Sequence, residues 1–297
     1  VLIAASPPGK KVLIMPIFRL SDVKYSYLKR FTALDGVNLE IHAGESVVFL
    51  GANGCGKSTM LKLLNGLIFP ASGEIRAFGE VLNEPLLEKN EFRRFFRSRV
   101  GFIFQHSDIQ LFCPTVFEEL AFGPLQLDLP EPEVRDRVEE LLRMLGIEHL
   151  ADRSPLHLSG GEKKRVAIAS VLAMNPEVLL LDEPTNGLDP RTQRWLVDLV
   201  TELSRAGKTI ITATHDLSMV DEIATRVVVI SEDHRIAVEG EPQVILADLD
   251  LLLQANLISE RPYAHAHLHY PWHRHEHSHG KTPAFHDHPH SELKSGQ

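Results

Sequence analysis

Gly51-Ala52-Asn53-Gly54-Cys55-Gly56-Lys57-Ser58-Thr59 follows the apolar run Ser46 to Leu50 and precedes Met60, Leu61, Leu63 and Leu64. It matches G-x-x-x-x-G-K-[ST] in the setting that gives the pattern its meaning, a strand before it and a helix after it. The glycines let the backbone wrap closely, so that successive N–H groups face phosphate oxygens at a helix N-terminus whose dipole favours anions. Lys57 supplies a point charge to the β and γ phosphates, and the Ser58 hydroxyl suits Mg²⁺. Cys55, at the same helix start and beside Lys57, is expected to have a lowered thiol pKa and to be open to alkylation.

A second motif lies downstream, where the apolar strand Val178-Leu179-Leu180-Leu181 ends in Asp182-Glu183-Pro184. An acidic turn after a strand is common anywhere; the phosphate loop gives this one its weight. Asp182, at the carboxyl end of a central strand, is expected to reach Mg²⁺, and Glu183 to face the γ phosphate and polarise an attacking water.

Around these motifs, residues 17–260 alternate short apolar runs with longer amphipathic segments, the pattern of an α/β domain. Ser46 to Leu50, Val100 to Gln105, Val178 to Asp182, Thr209 to Thr214 and Arg226 to Ile230 read as buried strands. Val134, Val138, Leu141, Leu142 and Leu145 recur at helical spacing between Glu131 and Leu150. A further helix is expected from Asp189 as N-cap and Pro190 to Gly207 just past its end.

With 31 basic and 40 acidic side chains and a net charge of -9 in 297 residues, the chain is an ordinary globular composition of one or two domains, not a general nucleic-acid binder. Two cysteines make no disulfide framework, and a reducing cytosol is the expected home. No stretch approaches the length of a membrane-spanning helix. The apolar start is broken by Pro7, Pro8, Gly9, Lys10 and Lys11, does not read as a secretory signal, and residues 1–16 are expected to lie outside the fold as an N-terminal extension. From Arg261 the composition turns to His, Pro, Ser and charged residues, with ten of the sixteen histidines in 261–297, and this tail is expected to be disordered.

Leu158-Ser159-Gly160-Gly161-Glu162-Lys163-Lys164-Arg165 resembles the signature sequence of ABC-type ATPases. Ser159 and Glu162 form an S-x-x-E capping box at a glycine-loosened helix start that can hold an anion. The family usually has Gln at the place of Glu162; either residue completes the box. The resemblance implies a P-loop NTPase of the ABC ATPase fold over 17–260, with a RecA-like core, an antiparallel β subdomain and an α-helical signature subdomain. It also implies ATP with Mg²⁺ at Ser58, Gln105 and Asp182, and catalysis by Glu183, His215, Gln105 and Lys57. Tyr27 resembles the aromatic that stacks on adenine, with Tyr25 close enough to compete. Ser159, Gly160, Gly161 and Asp189 are implied to act in trans on a partner's nucleotide, so a homodimer or a heterodimer with a related ATPase is expected.

DNA-repair members of the family insert a long coiled coil between phosphate loop and signature, and ribosomal members carry two cassettes. Here only about a hundred residues separate Gly51 from Leu158, and the chain carries a single set of motifs. Val100 to Gln105, Gln110-Leu111-Phe112, Pro114-Thr115-Val116 and Ala121-Phe122-Gly123-Pro124 resemble the energy-coupling-factor importers, in particular their cobalt and nickel branch. That class receives a coupling helix of an integral membrane subunit in a groove, for which Phe112, Val116, Phe117 and Phe122 are the expected apolar contacts. The expected function is therefore the ATPase of a cobalt or nickel importer at the cytoplasmic face of the membrane. A vitamin importer, or an ABC ATPase unconnected with transport, is the alternative. The tail separates metal from vitamin: His265, His267, His269, His273, His275, His277, His279, His286, His288 and His290 alternate with other residues, and imidazoles suit Ni²⁺ and Co²⁺.

Overall fold

A computed structural model describes residues 15–258 and, as backbone, 277–279 and 282–284. The chain divides into two units, Val1–Ser259 and Glu260–Gln297. In the second, His277–His279 and Thr282–Ala284 pair as short antiparallel strands. The other eight candidate tail histidines lie outside the described residues, as do residues 1–14 of the expected extension.

In the first unit, the expected strand Ser46–Leu50 (β3) is buried along its whole length, because both faces of its sheet are covered. It follows a hairpin of Phe18–Tyr27 (β1) and Phe31–Ile41 (β2), and precedes Ser72–Ala77 (β4) and Glu80–Val81 (β5). The order β2-β1-β4-β5 is a four-stranded antiparallel sheet. The remaining strands are Val100–Ile103 (β6), Val178–Asp182 (β7), Thr209–Thr214 (β8), Arg226–Ile230 (β9) and Ile236–Gly240 (β10). With β3 they form a second sheet in the order β10-β9-β3-β8-β7-β6, parallel except for the β10 edge.

The alternation of side chains along β3 divides the core. Val47 and Phe49 pack with Leu61 and Leu64 of the helix Lys57–Leu64 (α1) and with Phe18 and Leu34 of the antiparallel sheet. Val48 and Leu50 belong to the other cluster, shared with the helices that carry the signature. After the short Glu84–Glu88 (α2) and Asn90–Arg99 (α3), those helices are Val116–Gln126 (α4), Glu131–Met144 (α5) and Gly160–Leu172 (α6), followed by Pro190–Arg205 (α7). All three parts implied by the resemblance are present: a parallel core, an antiparallel sheet and a helical segment bearing the signature.

Two boundaries differ from expectation. The strand expected to run to Gln105 stops at Ile103, because the Gln110 amide takes over the ladder's work there. Its Nε2 donates to Phe102 O at 3.3 Å, and its Oε1 accepts from Phe104 N at 3.5 Å. The helix expected to reach Leu150 ends at Met144, where Gly146 adopts φ 66 and Ile147 N closes back on Leu142 O at 2.9 Å, a glycine-dependent stop.

Gly101 shows how tightly β6 is packed beneath α6. A Cβ there would lie 2.4 Å from Val171 Cγ1 and 3.1 Å from Pro176 Cγ. Gly101→Ala is expected to destabilise the fold by about 1 to 3 kcal/mol through overpacking. Urea unfolding measures this, and an unchanged midpoint would contradict the contact.

Candidate active site

Three parallel strands end side by side and place the expected chemistry at one edge. Leu50 of β3 lies opposite Thr214 of β8, and Asp182 of β7 lies opposite Ala213. The chain after β3 turns through the phosphate loop into α1, with Gly56 at φ 116 as N-cap. Only glycine suits that position, because a Cβ would meet Ala33 O at 2.2 Å.

Lys57 is buried, and its Nζ donates to Gly51 O at 2.7 Å and Ala52 O at 3.0 Å, 3.7 Å from Glu183 Oε1. Ser58 Oγ donates to Asp182 Oδ1 at 2.7 Å. Burial, opposed by this hydrogen bond, pushes the Asp182 carboxyl above its ordinary range. A bound cation would favour its ionised form, and the hydroxyl and carboxylate oxygens are hard donors of the kind Mg²⁺ takes.

Glu183 sits at φ 42, a left-handed conformation costly for a non-glycine residue, with its N–H on Ala213 O at 2.9 Å. Its side chain is held from two sides. His215 Nδ1 lies 3.0 Å from both carboxylate oxygens, and Thr214 Oγ1 donates to Oε2 at 3.3 Å. Tyr27 OH is 3.2 Å from Thr59 Oγ1, whereas Tyr25 packs its ring edge against Tyr27 and joins the core. A cleft of about 440 Å³ gathers Tyr27, Lys57, Ser58, Gln105, Glu183 and His215, together with Asn53, Gly54, Gly56 and Thr59.

The signature residues form a separate cleft of about 670 Å³, lined by Ser159, Gly160, Gly161, Glu162 and Asp189 but by none of the phosphate-cleft residues. The capping box is complete: Glu162 Oε2 accepts from Ser159 N at 2.8 Å and Ser159 Oγ at 2.7 Å, and Ser159 holds the Glu162 carboxyl below its usual range. Asp189 caps α7 through Arg191 N and Thr192 N, and the Thr192 hydroxyl lowers its pKa. One fold thus carries both halves of the implied site and keeps them apart.

Asn186 lines the phosphate cleft and Thr214 braces Glu183, yet neither stands out in the sequence. Thr214 could have been found as the residue joining β8 to His215; Asn186 has no motif of its own. The expectation for Cys55 is overturned. It is 2% exposed, packed into the second core cluster, and burial raises its thiol pKa against the lowering effect of Lys57. The helix-terminus argument fails because the side chain turns inward, away from the phosphate-facing N–H groups. In the groove expected to receive a membrane subunit, Val116 is fully buried and Phe117 packs on the core, while Phe112 (65% exposed) and Phe122 (43%) face outward. The α4 capping box at Thr115 and Glu118 fixes the rotation that turns Val116 inward. Among the described residues there is no group of three or more His, Cys, Asp or Glu able to hold a metal ion.

The profile of the family described as ABC transporter matches residues 34–186. A putative ABC transporter ATP-binding protein of Methanosarcina acetivorans is 54% identical over 84% of this chain and 91% of its own length. A nickel import ATP-binding protein of Rhodobacter capsulatus is 48% identical over 82% of this chain and 96% of its own. ATP-binding proteins of energy-coupling-factor transporters are among the further relatives. A solved structure from Clostridium perfringens, part of an ABC transporter complex, superposes with TM-score 0.70 at 38% identity, covering 82% of this chain and 95% of that one.

The two cysteines test the packing of the loop. Cys55 should resist maleimide in the folded chain at neutral pH and react only in denaturant. Cys113 is half-buried, its thiol pushed up to about 11 by burial and by Glu119, so it is protonated at pH 8. Its alkylation rate should climb about tenfold per pH unit below that value, as the thiolate fraction does. Mass spectrometry of the labelled peptides decides; rapid labelling of Cys55 at pH 7 would contradict the buried loop.

Proposed function

The chain belongs to the ATP-binding subunits of ABC transporters, and within that family we propose that it is the ATP-hydrolysing subunit of a cobalt or nickel importer. The observation that carries the hydrolytic reading is the meeting of Lys57, Ser58, Glu183 and His215 in one cleft, with Asp182 hydrogen-bonded to Ser58. Ser58, Asp182 and Gln105 would hold Mg²⁺, which when bound supplies positive charge to the phosphates. Backbone N–H groups of the loop bind the phosphate oxygens, and Lys57 adds its charge to the β and γ groups. Tyr27, at the mouth of the cleft beside Thr59, offers its ring to adenine. Glu183 orients a water and accepts its proton as the water oxygen bonds to the γ phosphorus and the bond to the bridging oxygen breaks, leaving ADP and phosphate. His215 and Thr214 fix the carboxylate for that role.

Because Ser159, Gly160, Gly161 and Asp189 open on a different cleft, the chain completes a site only with a second cassette, a copy of itself or a related ATPase. Integral partners would hold it at the membrane; among the described residues no helix is long and apolar enough to cross a bilayer. A groove of about 600 Å³, with Phe112 and Phe122 edge to face at 4.9 Å, offers the apolar contact surface for them on the cytoplasmic face. Gln110 lines the same groove while bracing the end of β6, one step from Gln105, so a docked helix would press on the nucleotide site.

The metal reading rests on the histidine-rich tail and on kinship with a nickel import ATPase. Energy-coupling-factor relatives in general favour the second reading, a vitamin importer of the same architecture.

Glu183→Gln should retain ATP binding and lower hydrolysis by about 10² to 10⁴-fold, the usual worth of a general base, so that ATP holds a closed dimer. Phosphate release and light scattering test this; wild-type turnover would remove Glu183 from the mechanism. Deleting 261–297 should leave ATP hydrolysis largely intact and reduce the Ni²⁺ and Co²⁺ bound per chain in calorimetry. In the full chain that affinity should fall as pH drops through about 6.5, where imidazoles protonate. A truncated chain that binds as much metal would remove the tail from the metal reading and favour the vitamin importer.

A further inference from the structure

Lys164 is a buried charge that the hydrolytic machinery above does not use. It lies on α6 just beyond the first turn of the signature helix and is 2% exposed. Its ammonium carries three N–H donors, yet among the described residues its one hydrogen-bond acceptor is Phe104 O, at 3.3 Å. Among the described side chains no carboxylate pairs with it directly; the field of Asp182 reaches it, and burial outweighs that field, lowering its pKa to about 8. A residue held this way is expensive for folding, because an ammonium loses its hydration for one long hydrogen bond. A methionine of similar length would fill the same space without that cost.

The place of its acceptor gives the charge a use. Phe104 is the last residue before Gln105, beyond the end of β6, where the strand ladder has stopped and the Gln110 amide takes up the neighbouring backbone groups. Gln105 faces the phosphate cleft, while Ser159, at the start of α6, faces the other cleft. The bond from Lys164 to Phe104 O is therefore a direct polar tie between the helix that carries the signature and the segment that carries Gln105.

We propose that Lys164 is a positioning residue for ATP hydrolysis: by donating to the Phe104 carbonyl from the signature helix, it sets the place of Gln105 in the phosphate cleft. Displacement of α6 then moves Gln105 with it, and the two clefts of one chain are read together. The inference rests on the role assigned to Gln105 under Proposed function.

The test compares Lys164→Met, Lys164→Gln, Gln105→Ala and the double variant Gln105→Ala/Lys164→Met in the full chain. Each is measured for melting temperature and for kcat and KM of Mg²⁺-ATP hydrolysis. Lys164→Met should raise the melting temperature by about 2 to 4 °C. It should also lower kcat by about tenfold, the size of a modest coupling between sites, with KM little changed. Lys164→Gln should recover part of kcat, since its amide keeps an N–H donor on the same side of the helix. The double variant should be no slower than Gln105→Ala, because the two residues act along one connection. A merely structural lysine predicts the reverse, stability and kcat falling together without recovery by Gln, and that result overturns the proposal. Wild-type kcat in Lys164→Met beside an impaired Gln105→Ala overturns it as well, while leaving Gln105 in place. Wild-type kcat in Gln105→Ala removes the role of Gln105 itself and, with it, the route assigned to Lys164.

Discussion

The register of β3, β7 and β8 is the constraint on which the site depends. Leu50 opposite Thr214 and Asp182 opposite Ala213 bring the start of the phosphate loop, the Asp182-Glu183 pair and His215 to one edge of one sheet. A slip of one residue in any of the three would turn its side chains to the other face, exchanging the two core clusters and carrying Asp182 away from Ser58. Side-chain packing opposes that slip, because every residue of β3, β7 and β8 is buried and the two faces are filled by different partners. Apolar packing thus fixes the spacing of polar chemistry with which it has no direct contact.

That edge also concentrates what the fold would otherwise avoid. Lys57, Asp182 and Glu183 are all nearly solvent-free, and Glu183 adds a left-handed backbone that costs on the order of 1 to 3 kcal/mol for a non-glycine residue. Each is held by specific partners: loop carbonyls around Lys57, Ser58 on Asp182, His215 and Thr214 on Glu183. A carboxylate locked in this way cannot relax toward solvent, which keeps it aimed into the cleft. Lys164, buried on α6, is likewise held, by the Phe104 carbonyl.

Much of this was legible in the chain. The strands β3, β7, β8 and β9 match their expected limits, since unbroken apolar runs bounded by turn residues leave little freedom. The α7 cap and the signature capping box were readable as well, because both are local: a side chain and a backbone N–H within three residues. What escaped was set by contacts distant in sequence or by a helix's rotation. Cys55 sits where local rules predict a reactive thiol, but its side chain turns into the second core cluster. Val116 and Phe117 carry the composition of a docking surface, but with α4 capped at Thr115 Val116 enters the core and Phe117 packs on it, while Phe112 and Phe122 stay outside. The shortened β6 depends on a single amide, Gln110, whose sequence neighbours say nothing about the strand it braces.

The segment from Glu183 to Asp189 ties these levels together. Glu183 and Asn186 line the phosphate cleft, whereas Gly187, Leu188 and Asp189 line the signature cleft. Its turns are closed internally, Asn186 N on Glu183 O at 3.2 Å and Leu188 N on Thr185 O at 3.2 Å, and Gln193 of α7 donates to Thr185 O at 3.3 Å. Asp189 then anchors the segment's end by capping α7. These bonds join the loop's two ends, Glu183 at one cleft and Asp189 at the other, in one connected piece. Two short polar connections, this loop and the Lys164 contact to Phe104, thus run from the cleft that would hold the phosphates toward the one that a second cassette would complete.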